Sequence, residues 1–519
     1  MSATELARFM VRSFIENGMS QFVVSPGSRN APLSLALYEA EQRELVELFV
    51  RVDERSAAFF ALGLAKSSGR YVGVICTSGT ALANYHPAAL EAYHSHNRVI
   101  FISADRPAAL RRTGANQTTL HHGALYPLSA IDTAVAVDIS EHLSGGPLHL
   151  NLQFSEPLIS AEGSDWLAGI TPREKQIAVQ PRAHLSLSSR CVVVVGHDHA
   201  GLSLAEINTF LEKLGSPVIA EDPLSIPLAV PHASLFLGDE RVRSHFAPDD
   251  VLVIGRTTLS RSTNALIASA KRKIVIDPRI EEVDTNRTAD LLLTSLPECD
   301  VEPQASEWLQ LWSHAKALHL NLGPWSEQVV AATITHNVPA GSALFVASSR
   351  PIRDIEAVAQ PRSDVTIYAN RGLAGIDGNI STAFGIAENH ERSFAILGDI
   401  TFLHDLSALA APTEAHLTLF VIDNNGGGIF NTLEQAGVAG FEKVFGTPHN
   451  LDLVKVISGF GIACEKAGSI ADLERAINHH HAGLKIVVVE VPDRESNATG
   501  IKALAQSLAS ALLTGANLA

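Results

Sequence analysis

An internal repeat is the feature that most constrains how this chain can fold. Shifting the sequence by 322 positions places ALGLA at 61–65 on AFGIA at 383–387. With no gap, the run VGVIC at 72–76 then falls on FAILG at 394–398. Any helix–loop–strand pair shows some of this pattern, but unusual polar residues follow both copies at matching places. The first and third parts of the chain are therefore predicted to be two copies of one α/β unit.

The pattern along the whole chain predicts an α/β fold with mostly parallel sheets flanked by helices, because short β-branched runs alternate with helical segments. We expect three domains, at 1–178, 179–322 and 323–519, with a linker rich in Pro and Ser at 160–189. Strands are predicted at 22–24, 51–52, 72–76, 99–103, 148–152, 191–195, 251–254, 273–276, 344–347, 394–397, 417–422 and 486–491.

The composition of the chain limits the kinds of molecule that it can bind and the compartment in which it can function. The 519 residues carry a formal net charge of −16, which argues against a general affinity for nucleic acid. No apolar run approaches the roughly 18 residues of a membrane span, and the first residues lack the pattern of a secretory signal. The four cysteines lie far apart, without metal-ligand spacing, so we expect a cytoplasmic protein. An anionic substrate would require a local group of arginines.

In the third copy, polar residues follow two successive predicted strands. Gly398 and Asp399 end the strand at 394–397, and Asn424 follows the strand at 417–422 within DNNGGG. A carboxylate and an amide oxygen at neighbouring strand ends suit Mg²⁺, and glycines let the backbone approach a phosphate. The pattern predicts a magnesium–diphosphate site; the alternative is a structural turn. Neither a P-loop nor a dinucleotide-binding glycine motif is present.

In the first copy, Glu54 lies at the start of a strongly apolar helix, directly after the predicted strand at 51–52. A carboxylate there is favoured by the helix dipole, which is a purely structural explanation. The functional alternative is an acid that exchanges a proton with a ligand nitrogen in an apolar cleft. Under the 322-residue shift Glu54 falls on Ile376, which is predicted to start the matching helix.

An acid in one copy and a metal–diphosphate site in the other resemble the thiamine-diphosphate enzymes of the decarboxylase and acetolactate synthase type. Position 400 is Ile, where those enzymes usually have Gly. Longer stretches resemble, more specifically, the 2-succinyl-5-enolpyruvyl-6-hydroxy-3-cyclohexene-1-carboxylate synthase family. They are VSPGSRN at 24–30, ADRP at 104–107, GANQ at 114–117, NRG and GIDG within 370–378, and 423–430. The resemblance is weak in the middle part of the chain.

The resemblance implies an activity. Enzymes of that family decarboxylate 2-oxoglutarate on thiamine diphosphate and add the succinyl-semialdehyde carbanion to isochorismate, in menaquinone biosynthesis. The first and third domains would be copies of one thiamine-diphosphate-binding unit. The cofactor would be held through Mg²⁺, or Mn²⁺, in a site shared between subunits of a dimer or a dimer of dimers. Both substrates are dicarboxylates, for which arginines are the expected recognition groups.

The resemblance also assigns residues. Glu54 would be catalytic, protonating N1′ of the cofactor's aminopyrimidine. The other cofactor-binding residues would be Gly398, Asn425, Gly427, Ile376, Phe430 and Leu433. Those that bind metal would be Asp399, Asn424 and Gly426. Those that bind substrate would be Ser28, Arg29, Arg106, Asn116, Gln117, Arg261, Ser349, Arg353 and Arg371, with Arg353 and Arg371 expected in loops.

Two other functions are compatible with the residues. One is an acetolactate synthase or 2-oxoacid decarboxylase with a small neutral acceptor, although the candidate arginines favour an anionic one. The other is a non-catalytic protein that binds thiamine diphosphate, although the retained Glu54, Asp399 and Asn424 argue against it. For any single arginine, a surface salt bridge is the structural alternative.

Overall fold

The fold was derived from a computed structural model, which describes residues 1–161, 163, 165–171, 182–199, 201–279, 288–303 and 306–515. The predicted boundary at 178/179 lies outside these residues. The boundary at 322/323 falls in the connection after the last helix of the middle domain. Among the described helices, none is long and apolar enough to cross a membrane.

The first domain is a six-stranded parallel sheet with the strand order β2-β1-β3-β4-β6-β5. β3 and β4 are buried along their whole length, as expected for parallel strands covered on both faces. The elements are α1 (Ala3–Glu16), β1 (Gln21–Val24), α2 (Ala31–Glu41), β2 (Glu47–Val50), α3 (Glu54–Ser68), β3 (Val72–Cys76), α4 (Thr80–Asn84), α5 (His86–His94), β4 (Val99–Asp105), β5 (Ala130–Thr133) and β6 (Leu148–Gln153).

The middle domain contains a five-stranded parallel sheet of order β12-β11-β10-β8-β9 and a two-stranded sheet of β13 and β7. Its elements are β7 (His184–Leu187), β8 (Cys191–Val195), α6 (Leu204–Leu214), β9 (Val218–Ala220), α7 (Ala233–Phe236), α8 (Glu240–Phe246), β10 (Asp250–Ile254), α9 (Arg261–Ser269), β11 (Arg272–Ile276), β12 (Leu291–Leu293), β13 (Glu298–Val301) and α10 (Ser306–Lys316).

The third domain has a six-stranded parallel sheet of order β15-β14-β16-β17-β19-β18, which reproduces the order of the first sheet strand by strand. This confirms that the two domains have the same architecture. The elements are α11 (Glu327–Asn337), β14 (Ala343–Val346), α12 (Arg350–Val358), β15 (Thr366–Tyr368), α13 (Asn379–Ala387), β16 (Ser393–Gly398), α14 (Asp399–His404), β17 (Leu417–Asp423), α15 (Leu453–Ser458), β18 (Ala463–Ala467), α16 (Ile470–Asn478), β19 (Leu484–Glu490) and α17 (Arg494–Gly515).

The two copies pack on each other through α3 and α13. A Cβ atom on Gly63 would lie 2.2 Å from the carbonyl oxygen of Thr382, and one on Gly385 would lie 2.1 Å from that of Phe60. The two contacts are equivalent under the 322-residue shift. The helices therefore cross at a pair of matching glycines, where only hydrogen side chains fit between the backbones.

Three local predictions are wrong. The strand predicted at 51–52 begins four residues earlier, at Glu47–Val50, which is an edge strand of exposed and half-buried positions with an apolar run of only three residues. Ile376 does not start the matching helix, because α13 begins at Asn379 after a left-handed glycine. Arg353 is not in a loop but lies within α12, whose first turn contains Pro351.

Candidate active site

The carboxyl ends of β16 and β17, which pair with each other, bring together two of the predicted metal ligands. Asp399 begins α14 directly after β16 and is only 2% exposed. Its Oδ2 accepts the backbone N–H of Gly426 at 2.8 Å, and its Oδ1 accepts that of Ile400 at 2.6 Å. The backbone thus holds the carboxylate at the edge of the sheet, next to the glycine loop that follows β17.

Asn424 presents its side-chain oxygen without a partner. Its Nδ2 donates to Oε1 of Glu327 at 2.6 Å. Its Oδ1 is buried and accepts no hydrogen bond. A buried amide oxygen without a donor is costly, and a cation is one group that would satisfy it. The donor set of a carboxylate and an amide oxygen therefore fits a hard divalent metal.

His449 belongs to this site and was not predicted. Its Nε2 lies 3.2 Å from Oδ2 of Asp399 and 3.6 Å from Oδ1 of Asp423. One ligand atom from each of the three residues lies within 4.8 Å of the others. The hydrogen bond with Asp399 raises the pKa of His449, and burial raises the pKa of Asp423. His449 follows no motif, so nothing local in the sequence pointed to it.

The glycine loop is pressed against the segment 445–446. A Cβ on Gly426, which has φ +140°, would lie 2.2 Å from the carbonyl oxygen of Gly446, and one on Gly427 would lie 2.5 Å from that of Phe445. The N–H of Gly427 donates to the Gly446 carbonyl at 2.8 Å. Glycine is therefore required here by the close approach of two backbones.

The remaining residues predicted to bind cofactor lie in this loop and in several other segments. The side chain of Asn425 is paired with Asn450, donating through Nδ2 at 3.0 Å and accepting through Oδ1 at 2.8 Å. The ring of Phe430 lies in a short turn, 5.5 Å from that of Phe445, and Leu433 is half-buried just beyond that turn. Gly398 immediately precedes Asp399. Ile376 is half-buried in the loop before α13.

Glu54 is the first residue of α3, as predicted. The side chain of Asp53 caps the helix by accepting the N–H of Arg55 at 2.9 Å. Glu54 is half-buried, and its Oε2 accepts from Nδ2 of Asn84 at 3.3 Å. Apolar surface flanks the acid, since Val50 is 58% and Val52 82% exposed.

Within one chain, the start of α3 contacts the end of α14 rather than its beginning. Arg55 donates to the carbonyl oxygen of His404 at 2.8 Å. Asp53 accepts from Oγ of Ser407 at 2.5 Å. Asp399 is at the opposite end of α14, about 8 Å away at 1.5 Å per residue. Within one chain, the residues next to Glu54 therefore contact a different part of the third domain from the part that contains Asp399.

In the first domain, the structure brings together Arg106 and Gln117 at the carboxyl end of the sheet. Arg106 donates to Oγ of Ser78 at 2.6 Å and to the carbonyl oxygen of Gln117 at 2.8 Å. Nε2 of Gln117 donates to the Ser78 carbonyl at 3.3 Å. Ser78 was not predicted, although it follows the predicted strand at 72–76.

The other predicted residues of this domain lie on neighbouring loops. Arg29, just after β1, donates to the Phe154 carbonyl at 3.1 Å and to Glu156 at 3.3 Å. The contact with Glu156, which is largely exposed, is a surface salt bridge, the alternative role that the sequence left open for each arginine. Ser28 and Asn116 are exposed.

The arginines of the third domain meet the middle domain. Ser349, with φ +76°, precedes α12, and its carbonyl oxygen accepts from Arg353 at 2.7 Å. Arg371 is buried and donates to Oγ1 and the carbonyl oxygen of Thr258, at 3.1 and 2.8 Å. Burial lowers the pKa of Arg371 to about 10, so it stays charged at neutral pH. Arg261 lies close to Thr258 along the chain, exposed at the start of α9.

Known families match both ends of the chain. Residues 4–125 match the N-terminal TPP-binding domain of thiamine pyrophosphate enzymes, and residues 355–491 match their C-terminal TPP-binding domain. Thiamine pyrophosphate (TPP) is another name for thiamine diphosphate. With the duplicated fold, these matches define a thiamine-diphosphate-dependent enzyme.

Curated relatives specify the family. The chain is 37% identical to a 2-succinyl-5-enolpyruvyl-6-hydroxy-3-cyclohexene-1-carboxylate synthase of a Nocardioides species, over 97% of this chain and 98% of that protein. It is 36% identical to the synthase of Thermobifida fusca (98% and 99% covered) and 34% identical to that of Lysinibacillus sphaericus (91% and 92%). The chain belongs to the 2-succinyl-5-enolpyruvyl-6-hydroxy-3-cyclohexene-1-carboxylate synthase family, as its sequence motifs predicted. The two alternative functions are not favoured by these matches.

Proposed function

We propose that this enzyme removes CO₂ from 2-oxoglutarate and joins the remaining succinyl unit to isochorismate, using thiamine diphosphate and a divalent metal. The product would be the compound after which its relatives are named. The proposal is supported chiefly by Asp399 and the buried, unpartnered Oδ1 of Asn424, which follow two paired strands at one edge of the sheet in a thiamine-diphosphate-binding domain.

Asp399 and Asn424 would hold Mg²⁺, or Mn²⁺, through their side chains, and Gly426 would add its carbonyl oxygen. Gly398 and Gly427, with Asn425, would border the diphosphate, since glycine backbones leave room for phosphate oxygens. His449 is close enough to Asp399 to contact the bound metal or a diphosphate oxygen. Ile376, Phe430 and Leu433 would form the apolar surroundings of the cofactor's rings.

Glu54 would hold a proton at N1′ of the aminopyrimidine. Once a second copy covers the exposed Val50 and Val52, its position at the start of α3 would let it donate or accept that proton without bulk water competing. Bound thiamine diphosphate would supply the electron sink for decarboxylation. The hydrogen bond from Asn84 would keep the Glu54 carboxyl oriented toward the ring.

The substrates would be held by the arginines and amides of both thiamine-diphosphate-binding domains. Arg106 is held by the carbonyl oxygen of Gln117, Arg353 by that of Ser349 and Arg371 by that of Thr258, so the fold orients all three guanidinium groups. Ser28, Arg29, Asn116, Arg261 and Ser349 would complete the recognition of carboxylates and hydroxyls. Charged donors held by the fold recognise carboxylates without reorganisation, which favours a dicarboxylate over pyruvate.

Two copies of the chain would build each site. In one chain, the neighbours of Glu54 contact the end of α14 that is remote from Asp399. Val50 and Val52 expose apolar surface beside the acid, which a second copy would cover. We therefore propose a dimer, or a dimer of dimers. The four cysteines are free thiols, in keeping with a reducing compartment such as the cytoplasm.

The test is a coupled assay of the purified enzyme with thiamine diphosphate and Mg²⁺. CO₂ release from 2-oxoglutarate is measured with and without isochorismate, and against pyruvate alone. We expect product only with 2-oxoglutarate and isochorismate together. Turnover of pyruvate to acetolactate would instead assign the small-acceptor alternative. Cofactor binding by calorimetry without CO₂ release from either acid would assign a non-catalytic binder.

A further inference from the structure

We propose that Glu91, a residue of the first domain, is a positioning residue for the loop of the third domain that carries Arg371 and Ile376. We call residues 371–376 the junction loop. The inference rests on the proposed function, because that function gives the loop its two roles, in substrate binding and beneath the cofactor. Glu91 itself touches neither substrate nor cofactor in this arrangement.

The carboxylate of Glu91 accepts backbone N–H groups of three consecutive residues in the junction loop. Its Oε1 accepts from Gly372 at 2.7 Å, and its Oε2 accepts from Leu373 at 2.8 Å and from Ala374 at 3.4 Å. Glu91 is only 3% exposed and lies in α5. One largely buried carboxylate thus orients three successive peptide groups of the loop.

The junction loop lies so close to α5 that position 372 has room only for glycine. A Cβ on Gly372 would lie 2.5 Å from the backbone carbonyl oxygen of Glu91. Ala374 has φ +60°, a left-handed conformation that a non-glycine residue adopts at a cost. The hydrogen bonds from Leu373 and Ala374 to Glu91 offset that cost, so the loop conformation depends on this carboxylate.

The middle domain holds the same loop from the other side. Arg256 donates to the carbonyl oxygens of Arg371 and Gly372, at 3.0 and 3.3 Å, and to that of His94 at 3.0 Å. The junction loop is therefore held by a carboxylate that accepts hydrogen bonds from its N–H groups and a guanidinium that donates hydrogen bonds to its carbonyl oxygens. The backbone of Arg371 is fixed directly in this way, and Ile376 follows two residues after Ala374, the last residue so held.

The first test is the substitution Glu91→Gln, which keeps the size but replaces one acceptor oxygen with an NH₂ group. That group would face N–H donors. We expect the amides at 372–374 to exchange hydrogen at least about tenfold faster, because a hydrogen bond to a charged group is lost. We also expect an increase of about tenfold in KM for isochorismate or in the Kd for thiamine diphosphate with Mg²⁺, at similar melting temperature.

The matched control is Ser95→Ala. Ser95 donates through its hydroxyl to the backbone carbonyl oxygen of Glu91 at 2.6 Å, so its removal perturbs the same helix end but leaves the carboxylate in place. Exchange at 372–374 and both constants should stay as in the wild type. If Glu91→Gln fails to fold, Glu91→Asp keeps the charge on a shorter side chain and should give a smaller effect of the same kind.

The outcomes separate this inference from the proposed function. Faster exchange at 372–374 with unchanged KM, kcat and cofactor affinity would reduce Glu91 to a structural role and overturn the inference. Unchanged exchange would overturn it as well. A wild-type enzyme inactive on 2-oxoglutarate and isochorismate would instead refute the proposed function, while the exchange and cofactor-affinity measurements would still test Glu91.

Discussion

Replacing Gly63 with alanine tests whether the two copies are held together by the crossing of α3 and α13. The new Cβ would lie 2.2 Å from the carbonyl oxygen of Thr382 and 3.0 Å from the N atom of Ile386. Uncompressed contacts between such atoms need about 3.5 Å, so the helices must separate by roughly 1 Å. Both obstructing atoms belong to a helix backbone, which cannot rotate away as a side chain can.

The expected change in the free energy of unfolding for Gly63→Ala is the difference between two opposing contributions. Overpacking a close-packed contact costs roughly 1–3 kcal/mol, and the upper end applies because backbone is displaced. Alanine in a helix interior regains about 1 kcal/mol relative to glycine. We therefore expect a net loss of about 2 kcal/mol in the free energy of unfolding for Gly63→Ala. Gly385→Ala should behave alike, since its Cβ would lie 2.1 Å from the Phe60 carbonyl oxygen.

The assay is urea unfolding of both single variants, the double variant and a control. The control is Gly468→Ala, where a Cβ would meet no described atom within 4 Å. One separation of the helices accommodates both new methyl groups, so the double variant should lose clearly less than the sum of the single losses. The reasoning fails if Gly63→Ala unfolds at the same urea concentration as Gly468→Ala, or if the two losses simply add.

Three further predictions concern the active site and the response to pH. Glu54→Gln should abolish product formation while leaving diphosphate affinity nearly unchanged, and turnover at the wild-type rate would contradict the role of the acid. Asp399→Ala should remove the Mg²⁺ dependence of thiamine-diphosphate binding in calorimetry; a variant whose Kd still falls on adding Mg²⁺ as much as that of the wild type would rule out the metal assignment. His149 is fully buried, and burial lowers its pKa to about 4. The unfolded chain binds a proton below about pH 6.5 and the folded chain does not, so stability should fall by up to about 1.4 kcal/mol per unit between pH 6.5 and 4. His149→Gln should flatten this slope in melting experiments between pH 7 and 5, and an identical slope would show that other groups control it.

The fold was predictable where strands are buried on both faces. β3 and β8 match the predicted ranges completely, and β16 and β17 do so within one residue at either end, because a run of apolar residues marks such strands. Edge strands were missed. β15 and β18 were not predicted and β2 was misplaced, since each of these edge strands contains polar residues and exposed or half-buried positions and is not apolar throughout.

The site was predictable where its residues follow strands and form contiguous motifs. Asp399 and Asn424 could be assigned to one site because the neighbouring parallel strands that precede them end at the same edge of the sheet. His449, Glu327 and Thr258 come from distant loops or helices, and their contacts with predicted residues are made only by tertiary packing. No local pattern of apolar or turn residues distinguishes them from ordinary surface positions.

The duplicated unit also explains how an acidic protein could bind anions. Asp399 of the third copy corresponds to Thr77 of the first under the 322-residue shift, and both follow the third strand of their sheets. One residue further on, the first copy has Ser78, which accepts a hydrogen bond from the cationic Arg106. The third copy has the carboxylate of Asp399 itself, at the end of the strand that pairs with the strand before Asn424. At this place the first copy would therefore offer positive charge directly to an anion, whereas the third copy would do so through a metal ion. A net charge of −16 acts at longer range and is screened beyond about 10 Å, so it does not oppose either arrangement.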